Sequence, residues 1–256
     1  MPRKRRKESI TGFYHVIARG INKELIFNQT REKLYLKRIL KEILSDHNVE
    51  IYAYCIMSNH VHLIIKSELQ DLSMYMAKCL AKYAEYYNYK HKRNGHVFQN
   101  RFISECIETS RYFWNCLRYI HLNPLKAHHV KNIMNYKYSS VLEYKTRTLQ
   151  LLDERALKIF CERFEDWEDF MNFHFKTQRD VFADVAEDVS RQKLDVAITY
   201  LDEMKQQLEI ESKERFVEEK LLREKFKEYL IEKMGISIRE SEKILCEVRE
   251  QYGARI

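Results

Sequence analysis

The sequence predicts an α+β chain: an antiparallel sheet with helices in its first part, and helices alone after that. Three observations carry this. Apolar stretches with strand periodicity alternate with helical ones up to about residue 145. Only two prolines and five glycines punctuate 256 residues, so long elements with short connections are expected. Beyond Tyr144 the pattern is helical throughout.

Taken in order, FYHVIARG from Phe13 reads as a strand. A helix follows from about Thr30, with Leu36, Ile39, Leu40, Ile43 and Leu44 on one apolar face. VEIYAYCIMS and HVHLIIKS are two strands joined by a turn at Ser58–Asn59. DLSMYMAKCLAKYAEYYNYKH has helical periodicity with Asp71 as its N-cap, and GHVFQNRFISECIE is strand-like. TSRYFWNCLRYIHLNPLKA makes a helix capped by Thr109 or Ser110. It is expected to stop near Asn123–Pro124, because proline disfavours helix at the residue before it. The order β-α-β-β-α-β, then a helix, is the split-βαβ or ferredoxin-like plan.

Composition bounds the setting. Hydrophobic residues at 45% and aromatics at 12% describe a folded chain. No apolar run approaches the roughly 20 residues of a membrane-spanning helix. The start, MPRKRRKESITG, lacks the apolar segment of a secretory signal. Six scattered cysteines without a C-x-x-C pair suit a reducing compartment, so a cytoplasmic location is expected. Residues 1–150 carry a balance of +14 and residues 151–256 one of −7. A basic first part implies a polyanionic partner. The charge switch and the change of periodicity place a boundary near residue 148, giving a domain 1–147 and a helical accessory region 148–256. Within the latter, KFKEYLIEKMGISIRESEKILCEVREQYG faintly resembles a helix-turn-helix, with Gly235 before SIRESEKIL. No turn is evident after Leu245, and Glu247 and Glu250 fall where phosphate contacts would be wanted. A plain helical accessory domain is the better reading.

The chemistry is expected at SNHVHLII. On a strand, His60 and His62 point to one face and Val61 to the other. Two such imidazoles bind one divalent cation if another element brings a third ligand. The three-letter pattern alone is weak and more often marks ordinary surface or core histidines. In LRYIHLNP, Tyr119 and Asn123 are four apart on a helix and share a face. A phenol above a carboxamide, near two histidines, suits phosphoryl transfer with Tyr119 as nucleophile. A free phenol has a pKa of ~10, so its proton needs a taker: a metal, a water, or a base such as His121. His15 reads as a hydrogen-bonded sheet residue, and Phe113 and Trp114 as core.

SNHVHLII, GHVFQNRF and LRYIHLNPLKA, following YHVIARG, resemble the single-tyrosine HUH transposases, and most of all their REP-associated branch with its transposase IS200-like domain. The likeness covers about residues 10–145. It implies His60, His62 and Asn123 as ligands of Mg²⁺ or Mn²⁺, and Tyr119 as the nucleophile forming a 5′-phosphotyrosine. It also implies single-stranded or hairpin DNA as substrate, and it admits a homodimer. Two rival readings are a catalytically inactive hairpin-binding regulator and a hydrolytic metallonuclease. Histidine-triad hydrolases fit less well, since Ile64 occupies their third histidine's place, and a second H-x-[ST] for a cyclic phosphodiesterase is missing.

Basic residues near these motifs are the expected DNA contacts. Arg3, Lys4, Arg5 and Arg6 form an N-terminal arm, and Arg19 ends the first strand. Lys92, Arg93 and Arg101 lie in AKYAEYYNYKHKRNGHVFQNRF, together with Lys82 and Lys90. There, tyrosines interleave with cations as in single-strand binders, or pack on the sheet with a solvated basic edge. Gly20 is expected to serve a turn.

Overall fold

The computed structural model describes residues 5–176, 181–182, 186–210, 212–213 and 219–252. Its first part runs β1 (Phe13–Arg19), α1 (Thr30–Leu44), β2 (Val49–Ile56), β3 (His60–Ser67), α2 (Leu69–His91), β4 (Ile103–Cys106) and α3 (Ser110–Lys126). The sheet order is β2-β3-β1-β4 with every pair antiparallel, which is the ferredoxin-like arrangement. The inner strands are buried along nearly their whole length, so both faces of the sheet are covered. The helices α1 and α2 pack on each other and on the sheet, with Lys37 of α1 over the Tyr54 ring. Helix α3 takes the opposite face, where Phe113 meets Phe13 and Tyr52 edge-on at 5.2 and 5.9 Å.

Capping chemistry sets the helix starts. At α1, the Gln29 backbone N–H donates to Glu32 Oε2 (2.7 Å), which closes a capping box. Helix α2 begins at Leu69, two residues before the expected cap, and Asp71 lies in its first turn. At α3, Thr109 accepts from the Tyr112 N–H (3.2 Å).

Two element boundaries differ from expectation. Helix α3 runs through Pro124 to Lys126. Proline removes one N–H near the helix end, and the next turn closes regardless, with the Ala127 N–H donating to the Asn123 carbonyl (2.9 Å). Asn123 therefore stays in phase with Tyr119. Of GHVFQNRFISECIE only Ile103–Cys106 is a strand. The part before it is drawn to the end of β1, where Gly20 bridges Phe98 and the Gln99 N–H donates to the Arg19 carbonyl (2.9 Å). At Gly20 the backbone φ of −61° suits any residue. What it needs is space, since a Cβ there would lie 2.4 Å from the Glu24 carbonyl oxygen.

The first compact unit extends to Phe175, past the boundary expected near 148. It includes α4 (Val141–Thr146), α5 (Glu154–Arg163) and α6 (Trp167–His174). Two buried polar clusters tie them in. The Glu143 carboxylate accepts from the N–H groups of Gln150, Leu151 and Leu152 (2.8, 3.0 and 3.1 Å) and from the Tyr54 hydroxyl (2.5 Å). Burial alone would raise its pKa, but these hydrogen bonds outweigh that and hold it below the usual range. The second cluster joins His121 of α3 to His174 of α6 (Nδ1 to Nε2, 3.0 Å) and to Ser140 Oγ (2.8 Å). Surface charge does not report where such contacts end.

The second unit, from Lys176, contains α7 (Ala186–Gln207), α8 (Lys220–Met234) and α9 (Ile238–Tyr252) among its described residues. Val196, Leu201, Phe226, Leu230, Ile244 and Val248 form its core. Gly235, at φ 62°, ends α8 in the left-handed conformation glycine tolerates. The turn between α8 and α9 thus falls at 235–237, and α9 runs unbroken through Leu245. Its exposed side mixes signs, with Arg239, Lys243 and Arg249 among Glu242 and Glu250.

Candidate active site

His60 and His62 open β3 and lie opposite Arg19 and Ile17 of β1. Strand alternation puts both imidazoles on the face that α3 covers, 4.6 Å apart and perpendicular. Both are buried. His60 Nδ1 lies 2.7 Å from Asn59 Oδ1; the amide oxygen can only accept, so Nδ1 carries the proton and donates. His60 Nε2 is then a bare lone pair, buried and without a hydrogen-bond partner among the described residues. His62 Nε2 faces Asn123 Nδ2 at 3.2 Å, and its Nδ1 lies 3.1 Å from His15 Nε2.

Tyr119 sits one helical turn before Asn123. Its ring meets His62 edge-on at 5.7 Å and His15 at 6.2 Å, and Lys126 Nζ lies 5.8 Å from its centroid. The residue is 2% exposed. The two motifs expected to share a site, H-x-H on a strand and Tyr–Asn on a helix, are brought together.

Burial, followed by the nearby Arg19, His129 and His15, pushes the His60 pKa down to about 3. Burial, then His60 and His15, holds His62 well below the ordinary imidazole range. Both are therefore neutral at physiological pH, the form that ligates metal. A buried, partnerless Nε2, a second imidazole beside it and a carboxamide fit a divalent cation. Among the described residues no group of three His, Cys, Asp or Glu side chains is placed to hold a metal ion, and the Asn123 amide lies 3.2 Å from His62 Nε2.

His121, named above as a base for the phenol, points the other way, to Ser140 and His174. Sequence reasoning overlooked Asn59 as the residue orienting His60; it read His15 correctly as a hydrogen-bonded sheet residue but did not name its partner, His62. The signal for Asn59 was its place directly before H-x-H. The partner of His15 was visible only once β1 and β3 were paired.

Of the expected DNA contacts, Arg3 and Lys4 lie outside the described residues. Arg5, Arg6 and Arg101 line an open cleft of about 630 Å³ along β4, with Lys7 and Asn100. Arg6 stacks over Phe102 (3.8 Å) and donates to its carbonyl (3.1 Å). Arg19 is partly buried, and Lys92 is exposed in a left-handed conformation after α2. Arg93 pairs with Glu24, Lys90 with Glu32 and Lys82 with Glu42. Those three cations brace neighbouring structure. Tyr83 and Tyr87 are buried, Tyr86 stacks on Tyr35 (3.8 Å), and Tyr89 is exposed. No helix among the described residues is long and apolar enough to cross a membrane.

Residues 10–123 match the family model described as Transposase IS200 like. The chain is 28% identical over 131 residues to the "Putative REP-associated tyrosine transposase" of Haemophilus influenzae, an alignment covering 44% of this chain and 74% of that one. A solved structure of a REP-associated tyrosine transposase bound to a REP hairpin overlays with a TM-score of 0.49 at 20% identity, over 58% of this chain and 88% of that one.

Proposed function

We propose that the chain, whose residues 10–123 match the transposase IS200-like family model, cleaves and rejoins single-stranded DNA, with Tyr119 as nucleophile. The observation that carries this is the meeting of Tyr119 and Asn123 with His60 and His62 around one buried spot. In this reading the Tyr119 oxygen attacks a backbone phosphorus in line and the bond to the 3′ oxygen breaks. The phenol proton is lost to solvent, and the leaving 3′ oxygen takes up a proton. A 5′-phosphotyrosine and a free 3′-OH result. One phosphodiester replaces another, so the 3′-OH of a second strand can reverse the step without ATP.

The side chains have separate tasks. Lys126 puts positive charge over the Tyr119 ring, 5.8 Å from its centroid. His60, His62 and the Asn123 amide would hold Mg²⁺ or Mn²⁺, which when bound supplies Lewis-acid stabilisation of charge on the phosphoryl oxygens. The cleft along β4, with Arg5, Arg6 and Arg101, would follow the DNA backbone, and hairpins are the expected substrate form. The second unit serves as a helical accessory domain.

The test uses a 3′-labelled single-stranded hairpin library with Mn²⁺. The label is expected to remain attached to the parent protein through a 5′ phosphate. Tyr119→Phe should give no adduct, and chelation should abolish it. Cleavage by Tyr119→Phe at the parental rate, or release of a free 5′-phosphate, overturns the reading in favour of a hydrolytic nuclease. Chelator-insensitive hairpin binding with no adduct overturns it in favour of a regulator.

A further inference from the structure

We infer that His15 and Glu105 are positioning residues that fix His62 as the tautomer with its proton on Nδ1, leaving Nε2 bare toward the site. This rests on the reading of His62 as a cation ligand. The geometry is a chain of three side chains on one sheet face. Glu105 on β4 lies opposite His15 on β1, and His15 reaches diagonally to His62 on β3. Both imidazoles are fully buried and nearly parallel, with 5.3 Å between ring centroids.

Two proton arrangements satisfy the inner hydrogen bonds. In one, the Asn123 amide N–H donates to His62 Nε2, His62 Nδ1–H donates to His15 Nε2, and His15 carries its proton on Nδ1. In the other, every donor and acceptor is reversed, with the Asn123 amide turned over. His62 Nε2 would then hold a hydrogen and could not bind a cation. The outer end of the chain breaks the tie. His15 Nδ1 lies 3.8 Å from Glu105 Oε2. That distance is too long for a hydrogen bond, but the first arrangement points an N–H of the buried His15 ring at the carboxylate of the 35% exposed Glu105, and the reversed one points a lone pair at it, which Coulomb repulsion disfavours.

A histidine that binds metal commonly donates its other ring N–H to an acceptor that sets its orientation and basicity. That acceptor here is another imidazole, itself oriented by a carboxylate, whereas His60 uses the nearby Asn59 oxygen. The two ligands are thus set independently: one from its own turn, the other from across the sheet.

Two measurements test this on the full chain. In metal-free, ¹⁵N-histidine-labelled protein, two-bond ¹H–¹⁵N correlations report each tautomer, with His62→Gln supplying the assignment. His62 should be the Nδ1–H form, and Glu105→Gln should shift it toward a mixture. A parental His62 protonated on Nε2, or a Glu105→Gln variant unchanged from the parent, overturns the inference. Mn²⁺ titration followed by electron paramagnetic resonance is the second measurement. His15→Leu should weaken binding by about 10–100-fold, and His15→Gln, which keeps an acceptor, should recover most of it. Folded His15→Leu binding Mn²⁺ like the parent also overturns it. If the parent itself binds no Mn²⁺, the cation-ligand reading fails, and the tautomer measurement still decides the roles of His15 and Glu105.

Discussion

Acid should loosen the helix that carries Tyr119, through a pair of histidines that never touch the site. His121 and His174 stack at 11° inside the first unit, and their protons are determined. The Phe170 carbonyl lies 2.7 Å from His174 Nδ1 and can only accept, so His174 Nε2 is bare. His121 Nδ1–H then donates to it, and His121 Nε2 accepts from the Ser140 hydroxyl. A proton on His174 Nε2 would face the N–H of His121. Burial accordingly pushes the His174 pKa down to about 4 and holds His121 well below its usual range. An unfolded histidine titrates near ~6.5. Between those values the unfolded state binds more protons, so stability is complete above pH ~6.5 and is lost as pH falls toward 4. His174 alone contributes on the order of 3 kcal/mol to that loss, or roughly 6–12 °C in Tm for a unit of this size.

His60 and His62 push the same way, so the pair must be isolated by mutation. At pH 7.5, His174→Phe should cost about 1–3 kcal/mol, because it strands a buried N–H of His121. His121→Leu with His174→Phe removes both partners. Ser140 Oγ can then turn to the Tyr54 carbonyl, already 3.3 Å away, so the double variant should be more stable than the two single losses added together. Both tryptophans, Trp114 and Trp167, lie in the first unit, so their fluorescence reports its unfolding alone. Between pH 7.5 and 4.5 the double variant should lose clearly less Tm than the parent. Equal losses, or strictly additive single effects, would refute the reasoning.

Two further outcomes are expected. Gly20→Ala would force a Cβ against the Glu24 carbonyl and the Ile26 side chain; a loss of about 1–3 kcal/mol in urea unfolding is expected, and a neutral substitution would contradict the close approach. Arg101→Ala should weaken hairpin binding and reduce the slope of log K against log salt by about 1, as measured by fluorescence anisotropy, while an unchanged slope would remove the β4 cleft from the DNA path.

The sheet order follows from the alternation of apolar strands with helices, and each of those patterns is local. The start of α3 was legible because its cap, Thr109, lies within four residues of it, whereas α2 begins at Leu69 and not at the Asp71 cap expected. The extension past residue 148 was not, because Glu143 finds its partners through tertiary contact. The same limit hid the partner of His15, whose spacing from H-x-H in the sequence says nothing about strand pairing. Pro124 misled because proline at the last turn removes one hydrogen bond only. The tyrosines of α2 read equally well as core and as stacking surface, and ion pairs with Glu24, Glu32 and Glu42 show how much of the basic segment is taken up internally.

At 2% exposure, the Tyr119 side chain is closed to bystander phosphates. On the reading of Tyr119 as the nucleophile, a strand must first bind tightly enough to displace whatever shields the phenol, so that capture licenses cutting. Substitutions that thin the shield should erode target discrimination before they slow turnover.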